Sequence, residues 1–271
     1  TVLEALADFA GDFVVATAGP DLESVLAAKG AGAVDHSART GKTVLHLDIG
    51  GGTTNMALIE NGTITRTSCL NVGGRLIKFD GSQTITYVSP VLADLCPLRP
   101  GDRATEQNLH EVASILVSAL EACNRVRESG PSVREKDALL HQFWTKEASL
   151  PWRGGGPKGP EGWPPEAKVD VISFSGGVAD CIQTEYPWTE FGDLGPILGQ
   201  MIRHSSLCAG SFMLGEETIR ATVIGAGCHA TQLSGSTVFC QNVALPLKNL
   251  PVLPLPQQGN LSEFIREKQN T

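Results

Sequence analysis

The chain has 271 residues, 41% of them hydrophobic and 18% charged, with 30 glycines, 16 prolines and a net charge of −8. That length supports one large domain or two modest ones with a real core, and the balance describes a mixed α/β protein with many turns. The acidic charge argues against nucleic acid or an anionic membrane as the main partner; no apolar run reaches transmembrane length, and TVLEALADFAGD carries acids where a signal peptide carries Lys or Arg.

From the N-terminus, residues 13–18 (FVVATA) read as a strand and residues 21–29 as a short helix. Residues 43–70 read as a three-stranded meander. Its first two strands flank the glycines of LHLDIGGGTTNMALIENG, and Glu60-Asn61-Gly62 turns into the third. Leu109, Val112, Ala113, Leu116, Ala119, Leu120 and Cys123 recur at helical spacing, and Ser129-Gly130-Pro131 stops that helix. A second helix is expected near 135–147, then a long Gly- and Pro-rich loop over 150–167. VDVISF is a short buried strand running into Ser175-Gly176-Gly177, followed by a helix near 193–204, and prolines extend the tail LPLKNLPVLPLP. The seven cysteines, at 69, 96, 123, 181, 208, 228 and 240, form no CxxC pair. Such an odd, dispersed set fits reduced, mostly buried thiols in a cytoplasmic protein.

Three near-motifs fail on physical grounds. HSARTGKT, residues 36–43, approaches a phosphate-binding loop, but His36 replaces the first glycine and a strand, not a helix, follows; a plain loop is expected. GAGCHA, residues 225–230, matches a dinucleotide fingerprint without an acidic residue to hold a ribose, and reads as a close-packing helix start. His110-Glu111 has Ser114 where a zinc protease needs its second His, and reads as a solvated helix face.

The glycine triplet lies at a strand-to-strand turn, just after Asp48. Consecutive glycines can aim several backbone N–H groups into one concavity, a cradle for anions, and Thr53 and Thr54 add hydroxyl donors. Asp48 could hold Mg²⁺ through water, because that ion dehydrates reluctantly. A glycine-rich hairpin with no ligand is the competing reading. The later Ser-Gly-Gly turn lets a flat ring approach backbone without Cβ interference.

LDIGGGTTN resembles the second phosphate motif of the actin and Hsp70-like ATPase superfamily, and ISFSGG resembles its adenosine motif, in matching order. FSGGV, FGDLGPIL, IRATVIGAGCHATQLSGSTV and LPLKNLPV together resemble the EutA family of ethanolamine utilisation. The resemblance implies an α/β actin/Hsp70-like, ribonuclease H-like ATPase lobe, a mixed sheet flanked by helices. It also implies ATP and Mg²⁺ as cofactors and ATP-dependent reactivation of ethanolamine ammonia-lyase, a cobalamin enzyme, as the function. By position, Gly50, Gly51, Gly52, Thr53 and Thr54 would hold phosphates, Asp48 would face the metal, and Gly176 and Gly177 would border the adenosine. Asp48 and Asn55 take the catalytic positions; Asn55 stands where many of these ATPases carry Asp and supplies no charge. No first phosphate motif precedes Asp48 and no initiator Met opens the chain, so a C-terminal fragment is expected. Residues 1–41 would be the end of a first lobe with a connecting helix, 42–256 the second lobe and 257–271 a tail. A cytoplasmic site, in association with the ethanolamine microcompartment, is expected. A small-molecule kinase of the same fold and a nucleotide-free partner-binding scaffold are the alternatives.

Overall fold

A computed structural model describes residues 20–124, 142–144 and 169–234. The chain divides into two compact units, Thr1–Leu233 and Ser234–Thr271, and the sheet and cleft below belong to the first. Helices α1 (Pro20–Gly30) and α2 (Ala33–Thr40) lead into β1 (Val44–Ile49), β2 (Thr54–Glu60) and β3 (Thr63–Leu70). A small hairpin follows, β4 (Ile77–Phe79) with β5 (Ile85–Val88), and then the long helix α3 (Glu106–Asn124). After it come β6 (Val171–Ser175), α4 (Gly177–Gln183), α5 (Gly195–Arg203), β7 (Phe212–Leu214) and α6 (Ala221–Ser234).

The main sheet has five strands in the order β3-β2-β1-β6-β7. β2 runs antiparallel to both neighbours, whereas β6 is parallel to β1 and to β7. This is the mixed, helix-flanked sheet that the resemblance implies. Alternation along the strands gives its two faces different characters. Leu45, Leu47, Ile49, Met56, Leu58, Ile172 and Phe174 point to one face and join Leu109, Leu116 and Leu120 of α3 and Ile197 and Ile202 of α5 in the main core. The other face holds a smaller apolar cluster, Ala28, Ala33, Val44, Ala57, Ile59 and Val171, under α1 and α2. On that face β1 also carries His46 and Asp48, in register with Ser173 and Ser175 of β6 and with Ala57 and Asn55 of β2.

Helices α1 and α6 cross without room for a side chain. A Cβ on Gly225 would collide with the Leu26 carbonyl, and one on Gly30 with the Ala221 carbonyl. GAGCHA thus packs closely at Gly225, as expected, but lies inside α6, which begins at Ala221, rather than at a helix start. HSARTGKT differs from expectation: its first half is the end of α2, closed by Gly41 in the left-handed region (φ 67°) with its N–H on Ser37 O, a common helix stop. His110 and Glu111 are solvent-exposed on α3, as expected. The β4–β5 hairpin and β7 were not anticipated. Cys69, Cys96, Cys123, Cys181 and Cys208 are buried. The expected strand at 13–18, the 150–167 loop, the extended tail and nearly all of the helix at 135–147 lie outside the described residues.

Candidate functional site

A cavity of about 460 Å³ opens at the C-terminal ends of β1 and β6. Adjacent parallel strands ending together leave such a crevice, the usual ligand position in open α/β sheets. Asp48, Gly50 and Gly51 reach it from the β1–β2 turn, and Gly176 and Gly177 from the β6–α4 turn. Two segments far apart in sequence therefore meet at one cleft.

The glycine turn is built differently from a simple ring of donors. Gly50 N–H donates to Thr53 O at 2.9 Å, closing the hairpin on itself. The carbonyls of Gly50 and Gly51 accept from Gly74 N at 3.0 Å and Arg75 N at 2.6 Å, so residues 73–75 buttress the turn from behind. None of Gly50, Gly51 and Gly52 has positive φ; Gly52 has open space at its Cβ position, whereas a Cβ on Gly51 would press on the Arg75 stem at 3.1 Å. Gly176 is the conformational glycine, with φ 85° and a hypothetical Cβ driven into the Ile49 backbone. Gly177 begins α4 with nothing near its Cβ position.

Asp48 is held on both oxygens. Ser175 Oγ donates to Oδ1 at 2.5 Å, and Thr222 Oγ1 of α6 approaches Oδ2 at 3.5 Å. Burial raises its carboxyl above the ordinary value; the two hydroxyls act against the rise and the Glu23 charge adds to it. Behind Asp48, Ser175 Oγ also lies 3.1 Å from His46 Nε2, and Ser173 Oγ lies 3.0 Å from Nδ1. Burial lowers the pKa of His46 to about 3, so this imidazole is neutral at physiological pH.

The other expected site residues are placed away from the cleft wall. Gly52 and Thr53 occupy the tip of the hairpin turn and do not line the cavity. Thr54 is buried, its hydroxyl donating to Val72 O at 2.7 Å, which ties β2 to the end of β3. Asn55 lies on the helix-covered face, where Nδ2 donates to Glu23 Oε2 at 3.2 Å and Oδ1 is buried without a hydrogen-bond partner.

Residues that sequence reasoning passed over complete the wall: Arg75, Asp180, Tyr186, Phe191, Asp193 and Thr222. Asp180 accepts from Thr218 Oγ1 at 2.5 Å. Asp193 accepts from Gly195 N at 2.8 Å and pairs with Arg75 Nε at 3.5 Å; burial raises its carboxyl, and Gly195 N–H, Arg75 and Lys78 oppose the rise. A second Gly-Gly pair, followed at once by Arg75, was the available signal for this buttress. Among the described residues no group of three or more His, Cys, Asp or Glu could hold a metal, and no helix is long and apolar enough to cross a membrane.

The family described as "Ethanolamine utilisation protein EutA" matches residues 1–270. A Salmonella typhimurium protein named ethanolamine ammonia-lyase reactivase EutA is 38% identical over 256 residues, covering 93% of this chain and 51% of that protein. Its Escherichia coli counterpart of the same name is 38% identical over 254 residues, covering 92% and 50%. The chain thus spans about half the length of the curated relatives it matches. Among solved structures, component A of the Acidaminococcus fermentans (R)-2-hydroxyglutaryl-CoA dehydratase matches at TM-score 0.31 and 15% identity, over 79% of this chain and 69% of that one. Spiroplasma citri MreB5 bound to AMPPNP matches at TM-score 0.32 and 13% identity, over 79% and 59%.

Proposed function

Since the chain belongs to the EutA family of ethanolamine utilisation proteins, we propose that it forms a nucleotide-binding lobe of an ATP-dependent reactivating factor for ethanolamine ammonia-lyase. The observation that carries this reading is the convergence of Asp48, Gly50 and Gly51 with Gly176 and Gly177 on one cavity. The donor set fits Mg-ATP. Of the carboxylates at the cleft, Asp48 at the end of β1 suits Mg²⁺, which keeps several waters and takes its remaining ligands from phosphate oxygens. Gly50 and Gly51 line the cavity, and the open Cβ position of Gly177 leaves room for a nucleoside.

Each residue then has a definite task. Asp48, fixed by Ser175 and Thr222, presents a carboxylate of set orientation to the metal's water shell. Gly51 supplies backbone N–H to phosphate, and Gly177 adds no side chain to the wall of the nucleoside site. None of Asp48, Gly51 and Gly177 acts as a covalent nucleophile. Bound ATP supplies a terminal phosphate whose presence or absence biases two conformations of the protein. The work done on the partner is exchange of damaged cobalamin for intact adenosylcobalamin in the lyase. The site of action is the cytoplasm, with association to the ethanolamine microcompartment.

The test is titration calorimetry of the 271-residue chain with Mg-ATP, comparing wild type and Asp48→Ala. The expected result is a loss of roughly tenfold in affinity, about 1.4 kcal/mol, that disappears when Mg²⁺ is chelated. Equal Mg-ATP affinity in the two proteins removes the metal-facing role of Asp48. Recovery of inactivated ethanolamine ammonia-lyase, with and without ATP, tests the partner.

A further inference from the structure

The cleft presents three carboxylates, Asp48, Asp180 and Asp193, and Arg75 is the one basic residue on its wall among the described residues. A polyphosphate entering such a site needs a cation to offset those charges, and the Mg²⁺ facing Asp48 answers for one of them only. We propose that Arg75 reads the phosphate charge of the bound nucleotide, its guanidinium leaving Asp193 for the terminal phosphates. The proposal rests on the reading of the cleft as a nucleotide site.

Three features make Arg75 suited to that exchange. Its root is fixed against the glycine turn: the backbone N–H donates to Gly51 O at 2.6 Å, and the aliphatic stem covers Gly51, with Cδ 3.1 Å from where a Cβ on that residue would stand. Its head is loosely held, 3.5 Å from Asp193 Oδ2 with the side chain 68% exposed. Solvent screens such a pair, so little stability is lost when it opens, whereas a phosphate offers more charge and a fork of acceptors that matches guanidinium geometry. The partner left behind is not stranded, because Asp193 Oδ1 keeps the Gly195 N–H at 2.8 Å. Gly195 is the first residue of α5, so the residue that Arg75 releases also accepts from the first N–H of this helix, whose N-cap is Leu194.

Calorimetry of the chain with Mg-ATP, Mg-ADP and adenosine, on wild type, Arg75→Ala, Arg75→Lys and Asp193→Asn, tests this. For Arg75→Ala the expected loss is about tenfold or more for Mg-ATP, consistent with a charge-assisted hydrogen bond, smaller for Mg-ADP and absent for adenosine. Arg75→Lys should recover part of the Mg-ATP affinity as a point charge without the fork. Asp193→Asn keeps an acceptor for Gly195 and should bind Mg-ATP at least as tightly as wild type. Unchanged Mg-ATP affinity in Arg75→Ala, or an equal loss for adenosine, overturns the proposal and leaves the nucleotide site standing. A wild-type chain that binds none of the three overturns the nucleotide reading and this proposal together.

Discussion

Ser175 Oγ donates to Asp48 Oδ1 over 2.5 Å and lies 3.1 Å from His46 Nε2, so one hydroxyl of β6 joins a fully buried imidazole to the carboxylate at the cleft. With its proton on Asp48, Ser175 can only accept from His46, which puts the imidazole proton on Nε2 and leaves Nδ1 to accept from Ser173. Ser175→Ala strips both neighbours at once. It should cost about 1–3 kcal/mol in denaturant unfolding, the penalty of an unsatisfied buried donor, and should weaken Mg-dependent nucleotide binding. Ser173→Ala orphans the other imidazole nitrogen but leaves Asp48 fixed, so it should lower stability and spare nucleotide affinity. Equal effects of the two substitutions on affinity would contradict the orienting role of Ser175.

The same buried imidazole sets a pH dependence. His46 has its pKa lowered by burial to about 3 from 6.5. Below 6.5 the unfolded chain therefore takes up a proton that the folded chain refuses, and stability from this group falls as pH drops toward 3. The limiting slope is about 1.4 kcal/mol per pH unit. Asp48 works in the opposite sense: its raised carboxyl holds a proton above 3.8 when the unfolded chain has released it, a contribution present in acid and lost as pH rises through the folded value. His46→Gln removes the imidazole term alone. The stability difference between wild type and variant should shift against wild type from pH 7 to pH 4, measured by urea unfolding at a series of pH values. Parallel curves would mean that His46 does not titrate as its burial requires.

Gly176 and Gly177 separate fold from function. Gly176 has φ 85° and its Cβ would strike Ile49 backbone, so Gly176→Ala should lose several kcal/mol, about the sum of left-handed strain and a steric clash, and much of the folded population. Gly177 is helical with open space at Cβ, so Gly177→Ala should fold as well as wild type or gain up to about 1 kcal/mol from helix propensity. Its added methyl faces the cleft and should lower nucleotide affinity. Circular dichroism melts and calorimetry on the two variants separate these outcomes.

The sequence made the sheet centre legible because its strands are hydrophobic runs cut by unmistakable turns: Gly50–Gly52 and Gly176-Gly177 mark the ends that meet at the cleft, and Asn61-Gly62 marks the turn at the opposite end of β2. The stripe of α3 was equally plain, and Leu109, Val112, Leu116 and Leu120 are all buried as their spacing requires. What could not be read was direction. Thr54 and Asn55 follow the glycines as closely as a phosphate-binding residue would, yet the pleat sends one hydroxyl to Val72 O and the other side chain to Glu23. Arg75 and Asp193 come together only through tertiary packing, 118 positions apart, and no local period reports that. The three-residue strands β4 and β7 are too short to show alternation.

Asn55 offers the sharpest test of that placement. Its Nδ2 donates to Glu23 Oε2 at 3.2 Å and the residue is 7% exposed, on the sheet face covered by α1 and away from the cavity wall. Asn55→Asp replaces the donor by an acceptor and sets two carboxylates against each other in a half-dry site, where both cannot ionise without cost. A carboxyl raised in the folded state contributes stability that is present in acid and lost as pH climbs past it. The variant should therefore lose about 1–3 kcal/mol at neutral pH and recover part of it near the ordinary carboxylate range. Glu23→Gln in the same chain returns an amide donor to the new carboxylate and should restore most of the neutral-pH loss. Mg-ATP affinity should not rise, because the side chain of residue 55 is turned to Glu23 and does not line the cavity, although Asp48 stands opposite it on the same face. Urea unfolding of the single and double variants at two pH values, with calorimetry beside it, decides the matter. An Asn55→Asp chain that is as stable as wild type at neutral pH and binds Mg-ATP more tightly would put residue 55 at the metal after all.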